Sequence, residues 1–144
     1  MEFSSSRPDA DPSGAAESAG SARPVAPLDF ARSSIREIDG AAASTLDGLP
    51  FGVIGFGPDG HVETYSAAES RMAGLTPERV MGKHVFTAVA PCMNNYLVAQ
   101  RFEDEIELDA TIDYVLTLRM RATPVKLRLL KGADARMRYL LIQR

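Results

Sequence analysis

Tryptophan is missing from this sequence, cysteine occurs once, histidine twice, and no apolar run approaches the roughly 20 residues that a helix needs to cross a bilayer. Each shortage excludes something. The lone Cys92 has no partner for an internal disulfide, and with only His61 and His84 beside it no spacing resembles a structural zinc site. Cys92 is therefore either a free thiol or an attachment point. The opening residues lack the basic start and apolar stretch of a secretion signal, so the cytoplasm is the expected location and a membrane is not an expected partner. The formal net charge of -3 offers no basic excess to a phosphate backbone, so nucleic acid is not expected as a partner either.

What is present is ordinary for a packed domain. Hydrophobic residues make up 45% and charged residues 24% of 144 residues, which suits one domain with a single core, made α+β by the order of its elements, and is too little chain for two domains and a linker. Residues 1–27 are dominated by Ser, Ala, Gly, Pro and Asp, with almost nothing large to bury, and read as a disordered tail. Phe30, Ile35, Ile38 and Leu46 then fall at irregular helical spacing and predict a short helical cap over 28–49.

From Phe51 the texture changes. The run Phe-Gly-Val-Ile-Gly-Phe, the turn Gly-Pro-Asp-Gly and the run His-Val-Glu-Thr-Tyr predict a hairpin over about 51–65. Residues 66–74 have helical spacing and end at a glycine, and Thr76-Pro77 opens another short helix that stops near Gly82. One or two further turns are expected over 84–89, and Asn95 is placed to cap a longer amphipathic helix carrying Leu97, Val98, Phe102 and Ile106. Branched apolar residues over 112–120, 125–130 and 138–142, separated by Ala-Thr-Pro and Gly-Ala-Asp turns, predict three antiparallel strands. The order predicts one five-stranded antiparallel sheet with short helices on one face. Arg119, Arg121, Lys126 and Arg128 alternate and read as a solvated sheet face. Gly55, Gly57 and Gly60 serve the hairpin turn and form no phosphate loop, since no helix follows them directly.

Several strings around the cysteine have a familiar look: Leu-Asp-Gly-Leu at 46–49, Phe-Gly at 51–52, Tyr-Ser-Ala-Ala-Glu at 65–69, Met-Gly-Lys at 81–83 and Val-Ala-Pro-Cys at 89–92. Together with Tyr114, Met120 and Lys126 they make residues 44–144 resemble the photoactive yellow protein family, bacterial blue-light receptors of the PAS fold. The resemblance implies a PAS-like domain in which Cys92 carries a 4-hydroxycinnamyl (p-coumaric acid) group as a thioester. It further implies that Tyr65 and Glu69 hydrogen-bond the phenolate, and that Met120 influences return to the dark state. Phe86 is placed to line the pocket or to pack in the core. The likeness departs at Ala73 and Leu75, where the family has a threonine supporting the tyrosine and an arginine over the ring.

The physical logic stands beside the resemblance. A phenolate in an apolar pocket is costly unless strong donors surround it, and burial raises a carboxyl pKa so that a neutral Glu69 could donate. Light-driven isomerisation followed by proton transfer from Glu69 is expected to leave a buried, unpaired carboxylate that disturbs the cap. The implied partners are the small-molecule chromophore and a downstream signalling protein, with the chain a monomer or weak dimer and without catalytic turnover. Two rivals follow from the same residues. One is a chromophore-free PAS interaction or dimerisation module with Cys92 merely buried, and the other is a thiol enzyme using Cys92 and His84.

Overall fold

The structure, a computed structural model, describes residues 27–118 and 120–144. The tail expected over 1–27 therefore lies almost wholly outside the described residues, as does Arg119. Five strands, β1 (Gly52–Phe56), β2 (Val62–Tyr65), β3 (Leu108–Leu118), β4 (Arg121–Lys131) and β5 (Arg138–Gln143), form one antiparallel sheet in the order β2-β1-β5-β4-β3. The fold class is α+β, as its sequence indicates. No helix among the described residues is long and apolar enough to cross a membrane.

Both faces of the sheet are covered, because β1 and β5 are apolar at every other position and at the positions between. Ile54, Phe56, Leu140 and Ile142 face one core with Leu127 and Leu129 of β4, and Val53, Tyr139 and Leu141 face a second with Leu130. Between β2 and β3 the chain forms α3 (Ala67–Ala73), and the first core is closed by the segments that follow it: α4 (Pro77–Val80), a π-helical turn (Val85–Val89), a 3₁₀ turn (Pro91–Met93) and α5 (Ala99–Asp104). The second is closed by the N-terminal cap, α1 (Ile35–Asp39) and α2 (Ala43–Asp47), through Phe30, Ile38, Leu46, Leu49 and Phe51. Ser34 and Glu37 form a reciprocal capping box at the start of α1.

The cap region corrects one sequence expectation. Arg128 does not lie on a solvated face: its guanidinium is buried, forks onto Asp109 at 2.9 and 3.0 Å, and donates to the carbonyls of Phe30 at 3.0 Å and Ser33 at 2.6 Å. Arg121 and Lys126 are exposed as expected. A second tie crosses the same interface, where Tyr139 Oη donates to Asp39 Oδ1 at 2.6 Å.

Two boundaries also moved. The reversal between β3 and β4 falls between Leu118 and Arg121, with Met120 at φ 67, and not at Ala122-Thr123-Pro124, which continues β4. Pro124 is tolerated there because it pairs with Val115 outside the stretch of β4 that pairs with β5, which begins at Lys126. The amphipathic helix after Asn95 is shorter than its pattern suggested. Asn95 Oδ1 accepts from the amides of Leu97 and Val98, ahead of α5; Val98 and Phe102 are buried, whereas Leu97 and Ile106 are exposed.

Candidate functional site

Tyr65 closes β2 and Glu69 lies in the first turn of α3, and the junction between them is fixed by Ser66. Its Oγ accepts from the amides of Val53 at 2.9 Å and Glu69 at 3.4 Å, so the strand end, the neighbouring strand and the helix start share one hydroxyl. Gly74 ends α3 in the left-handed region, at φ 75, where a side chain would be strained. The amide of Ala67 donates to Asp47 Oδ1 at 2.9 Å, which joins α3 to the cap. Glu69 packs so closely on β1 that a Cβ on Gly52 would collide with the Glu69 carboxylate and come within 3.1 Å of its Cβ.

Cys92 lies on the 3₁₀ turn, which Pro91 opens. Its carbonyl accepts from Tyr114 Oη at 2.6 Å and from Asn95 Nδ2 at 3.3 Å, and Asn95 Nδ2 also donates to Tyr114 Oη at 2.6 Å. This triangle pins the cysteine-bearing turn to β3. The residue is exposed and its thiol is free.

These elements converge. A cavity of about 260 Å³ is lined by Cys92, Tyr65 and Glu69 together with Ile54, Ala73 and Leu116, among others. Its size is slightly below the roughly 300–1,000 Å³ of ordinary small-molecule sites and suits one flat aromatic acid better than a large cofactor. The walls are mostly apolar, with a nucleophilic sulfur, a phenol and a carboxyl as the groups that can react or orient. Such donors fit a small phenolic acid bonded to sulfur. The small side chain of Ala73 lines the cavity, whereas Leu75 lines a separate one with Arg79 and Lys83.

Two residues named from the sequence fall outside this cavity. Phe86 is buried in the core, edge-on to Phe56 with ring centroids 5.5 Å apart. Met120 is 95% exposed at the turn between β3 and β4. Neither lines the space that Cys92 opens onto, although Leu116 and Thr117 of β3 do. His84 lines two other cavities and accepts from the Phe86 amide through Nδ1 at 3.2 Å, so it is not brought to the cavity of Cys92.

The electrostatics of Glu69 hold a group that the sequence reading missed. Arg144, directly after β5, donates from Nη1 to Glu69 Oε1 at 3.1 Å and from Nη2 to Oε2 at 3.4 Å, with both side chains largely buried. Burial pushes the Glu69 carboxyl above its ordinary range, and the guanidinium opposes that rise without cancelling it. Burial likewise raises Tyr65, reinforced by the charge of Glu69. A carboxylate formed here is therefore not unpaired, which corrects that sequence expectation. No local signal announces Arg144: it is a basic residue next to a strand end, 75 positions from its partner. Among the described residues, no cluster of three or more His, Cys, Asp or Glu side chains could hold a metal ion.

Comparison with known proteins agrees with this fold. A family model described as PAS fold matches residues 46–108. Photoactive yellow protein of Halochromatium salexigens is 34% identical over 90 residues, covering 60% of this chain and 72% of that protein. The protein of the same name from Rhodothalassium salexigens is 29% identical over 102 residues, covering 69% and 82%. The crystal structure of the photoactive yellow protein domain from the sensor histidine kinase Ppr of Rhodospirillum centenum superposes with a TM-score of 0.69 at 34% identity, over 74% of this chain and 96% of that domain. A five-stranded PAS sheet, a cavity joining a cysteine to a tyrosine and an acid, and these relatives together place the chain in the photoactive yellow protein family.

Proposed function

We propose that this chain is a blue-light receptor that carries a 4-hydroxycinnamyl group as a thioester on Cys92, with Tyr65 and Glu69 meeting the phenolic end. The observation that carries the reading is that one cavity is lined by all three residues, although they come from a strand, a helix and a separate turn. When bound, the group supplies a light-driven trans to cis change about its double bond. The chain's own residues supply the rest. Cys92 Sγ attacks an activated acyl carbon and becomes the thioester sulfur, as its leaving group departs with the thiol proton. Tyr65 Oη donates to the phenolate oxygen. Glu69 holds a proton on its carboxyl in the dark, favoured by burial, and releases it when illumination moves the acceptor.

Release leaves Glu69 charged beside Arg144, and the first turn of α3 connects that change to the cap through the Ala67 amide and Asp47. Signalling is then a rearrangement of the cap relative to the sheet, read by a downstream protein. The thiol-enzyme reading loses its base, because His84 and Cys92 line different cavities.

The test is reconstitution. Purified apoprotein treated with an activated 4-hydroxycinnamic ester is expected to gain one acyl group by intact mass and a visible band that bleaches under blue light, and Cys92→Ser is expected to gain neither. An unmodified chain favours the interaction-module reading, and released acid with unmodified protein favours an enzyme.

A further inference from the structure

Among the described residues, one buried side-chain nitrogen has no hydrogen-bond partner: Nε of Arg144. The fork onto Glu69 uses two of the five N–H groups of the guanidinium, so the carboxyl matches its charge while leaving a buried donor over. Other charged groups near Arg144 do not take up the remainder. Asp113 and Lys126 line a neighbouring cavity of about 330 Å³ with it, but they pair with each other at 2.6 Å. On the side of the ligand cavity the titratable groups are Tyr65, Glu69 and Cys92, and Arg144 itself does not line that cavity. It sits behind Glu69.

We propose that Arg144 is the counter-charge of the ligand site, a positioning residue that acts through Glu69 and lets the cavity hold one negative charge shared between the Glu69 carboxyl and a phenolic ligand. The inference rests on reading the cavity as a phenol site. In the empty protein the negative charge lies on Glu69 and is matched by Arg144. An entering phenol brings one ionisable proton. Whichever oxygen keeps that proton, ligand and carboxyl together carry one negative charge against one positive, so the buried site stays neutral and no proton need be drawn from solvent. Without the guanidinium the shared charge is uncompensated in a low-dielectric region, and the site takes up a second proton at a higher pH.

The experiment begins without any ligand. The carboxyl carbon of Glu69 is titrated by ¹³C NMR in wild type, Arg144→Gln and Arg144→Lys apoprotein. The Glu69 midpoint is expected to rise by about one to three pH units in Arg144→Gln, the range by which a neighbouring guanidinium moves a carboxyl, and to stay near wild type in Arg144→Lys. An unchanged midpoint in Arg144→Gln overturns the proposal, as does an equal rise in both variants, since that points to lost packing and not lost charge. The same proteins loaded with the activated ester are then titrated by absorption, a phenol absorbing at shorter wavelength than its phenolate. On acidification the short-wavelength band is expected to appear at a higher pH in Arg144→Gln than in wild type, and bands that interconvert at the same pH in both overturn the ligand's share in the charge. Absence of an adduct in all three proteins overturns instead the reading of the cavity as a phenol site, and the two failures are distinguishable because the Glu69 midpoint is measured first and without ligand.

Discussion

Replacing Arg128 by methionine keeps the aliphatic stem and removes the guanidinium that holds the cap to the sheet. Two of its acceptors, the carbonyls of Phe30 and Ser33, belong to a segment where both residues are buried, so neither carbonyl regains a full water partner. Hydrogen bonds to a charged group are each worth about 1.5–3 kcal/mol, and the better packing of methionine offsets part of the loss. Asp109 is 62% exposed and readily rehydrates, so its half of the fork adds less than about 1 kcal/mol. The expected cost is about 3 kcal/mol, a large share of the roughly 5–15 kcal/mol that holds a domain folded. In urea, with slopes of about 1–3 kcal/mol per molar, the midpoint should fall by about 1–3 M.

Hydrogen exchange distinguishes local from global loss. If only the cap loosens, the amides of Ser33 and Ile38, bonded to the carbonyls of Asp29 and Ser34, should exchange faster while those of β5 do not. Asp109→Asn should cost far less than Arg128→Met. A loss below about 1 kcal/mol in Arg128→Met with unchanged exchange at Ser33 and Ile38 would show that the apolar contacts alone seat the cap, and would refute the reasoning.

Further outcomes follow from the site and from the buried phenols. Gly52→Ala would drive a methyl group into the Glu69 carboxylate, so we expect the acid to leave its place; the loaded variant should keep its adduct by mass but shift its absorption band, and an unshifted band would count against the contact. Tyr65 and Tyr139 are both raised from the ordinary 10.0 by burial. Their neutral forms therefore contribute stability that is complete below pH 10 and is lost as pH rises past it, because the unfolded tyrosines ionise first, at up to about 1.4 kcal/mol per pH unit for each. Urea midpoints measured from pH 8 to 11 should fall less steeply in Tyr139→Phe than in wild type, and identical slopes would contradict the assigned burial.

The parts of the fold that were legible in the sequence are those set by local chemistry. The Gly-Pro-Asp-Gly turn, the glycine after α3 and Thr76-Pro77 each announced an element boundary, because the residue that permits the backbone conformation is the signal. Where position depends on distant contacts, the pattern misled. Leu97 and Ile106 have helical spacing with Val98 and Phe102 but fall beyond the two ends of a short helix and are exposed, and Arg128 alternates with surface residues while reaching under the cap. For the proposed site, Cys92, Tyr65 and Glu69 were singled out because their spacing resembles a known family, and one cavity is lined by all three. Met120 was carried over on the same grounds and lies at a turn instead. Arg144 could not be read at all, since a basic residue after a strand is ordinarily solvated and only the three-dimensional meeting with Glu69 makes it otherwise.

Strand β5 runs between two polar anchors. At one end Arg144 grips an acid of the cavity that Cys92 lines, and a few residues back Tyr139 grips an acid of the cap on the opposite side of the sheet. Extended backbone spans roughly 3.3 Å per residue and is nearly at full stretch, so it behaves as an inelastic rod and cannot absorb displacement by lengthening. Ladder bonds to β1 and β4 hold this rod on both flanks. A change in how firmly its cavity end is gripped must therefore appear as altered load at the other end, or as slippage against the neighbouring strands, and not as slack between them.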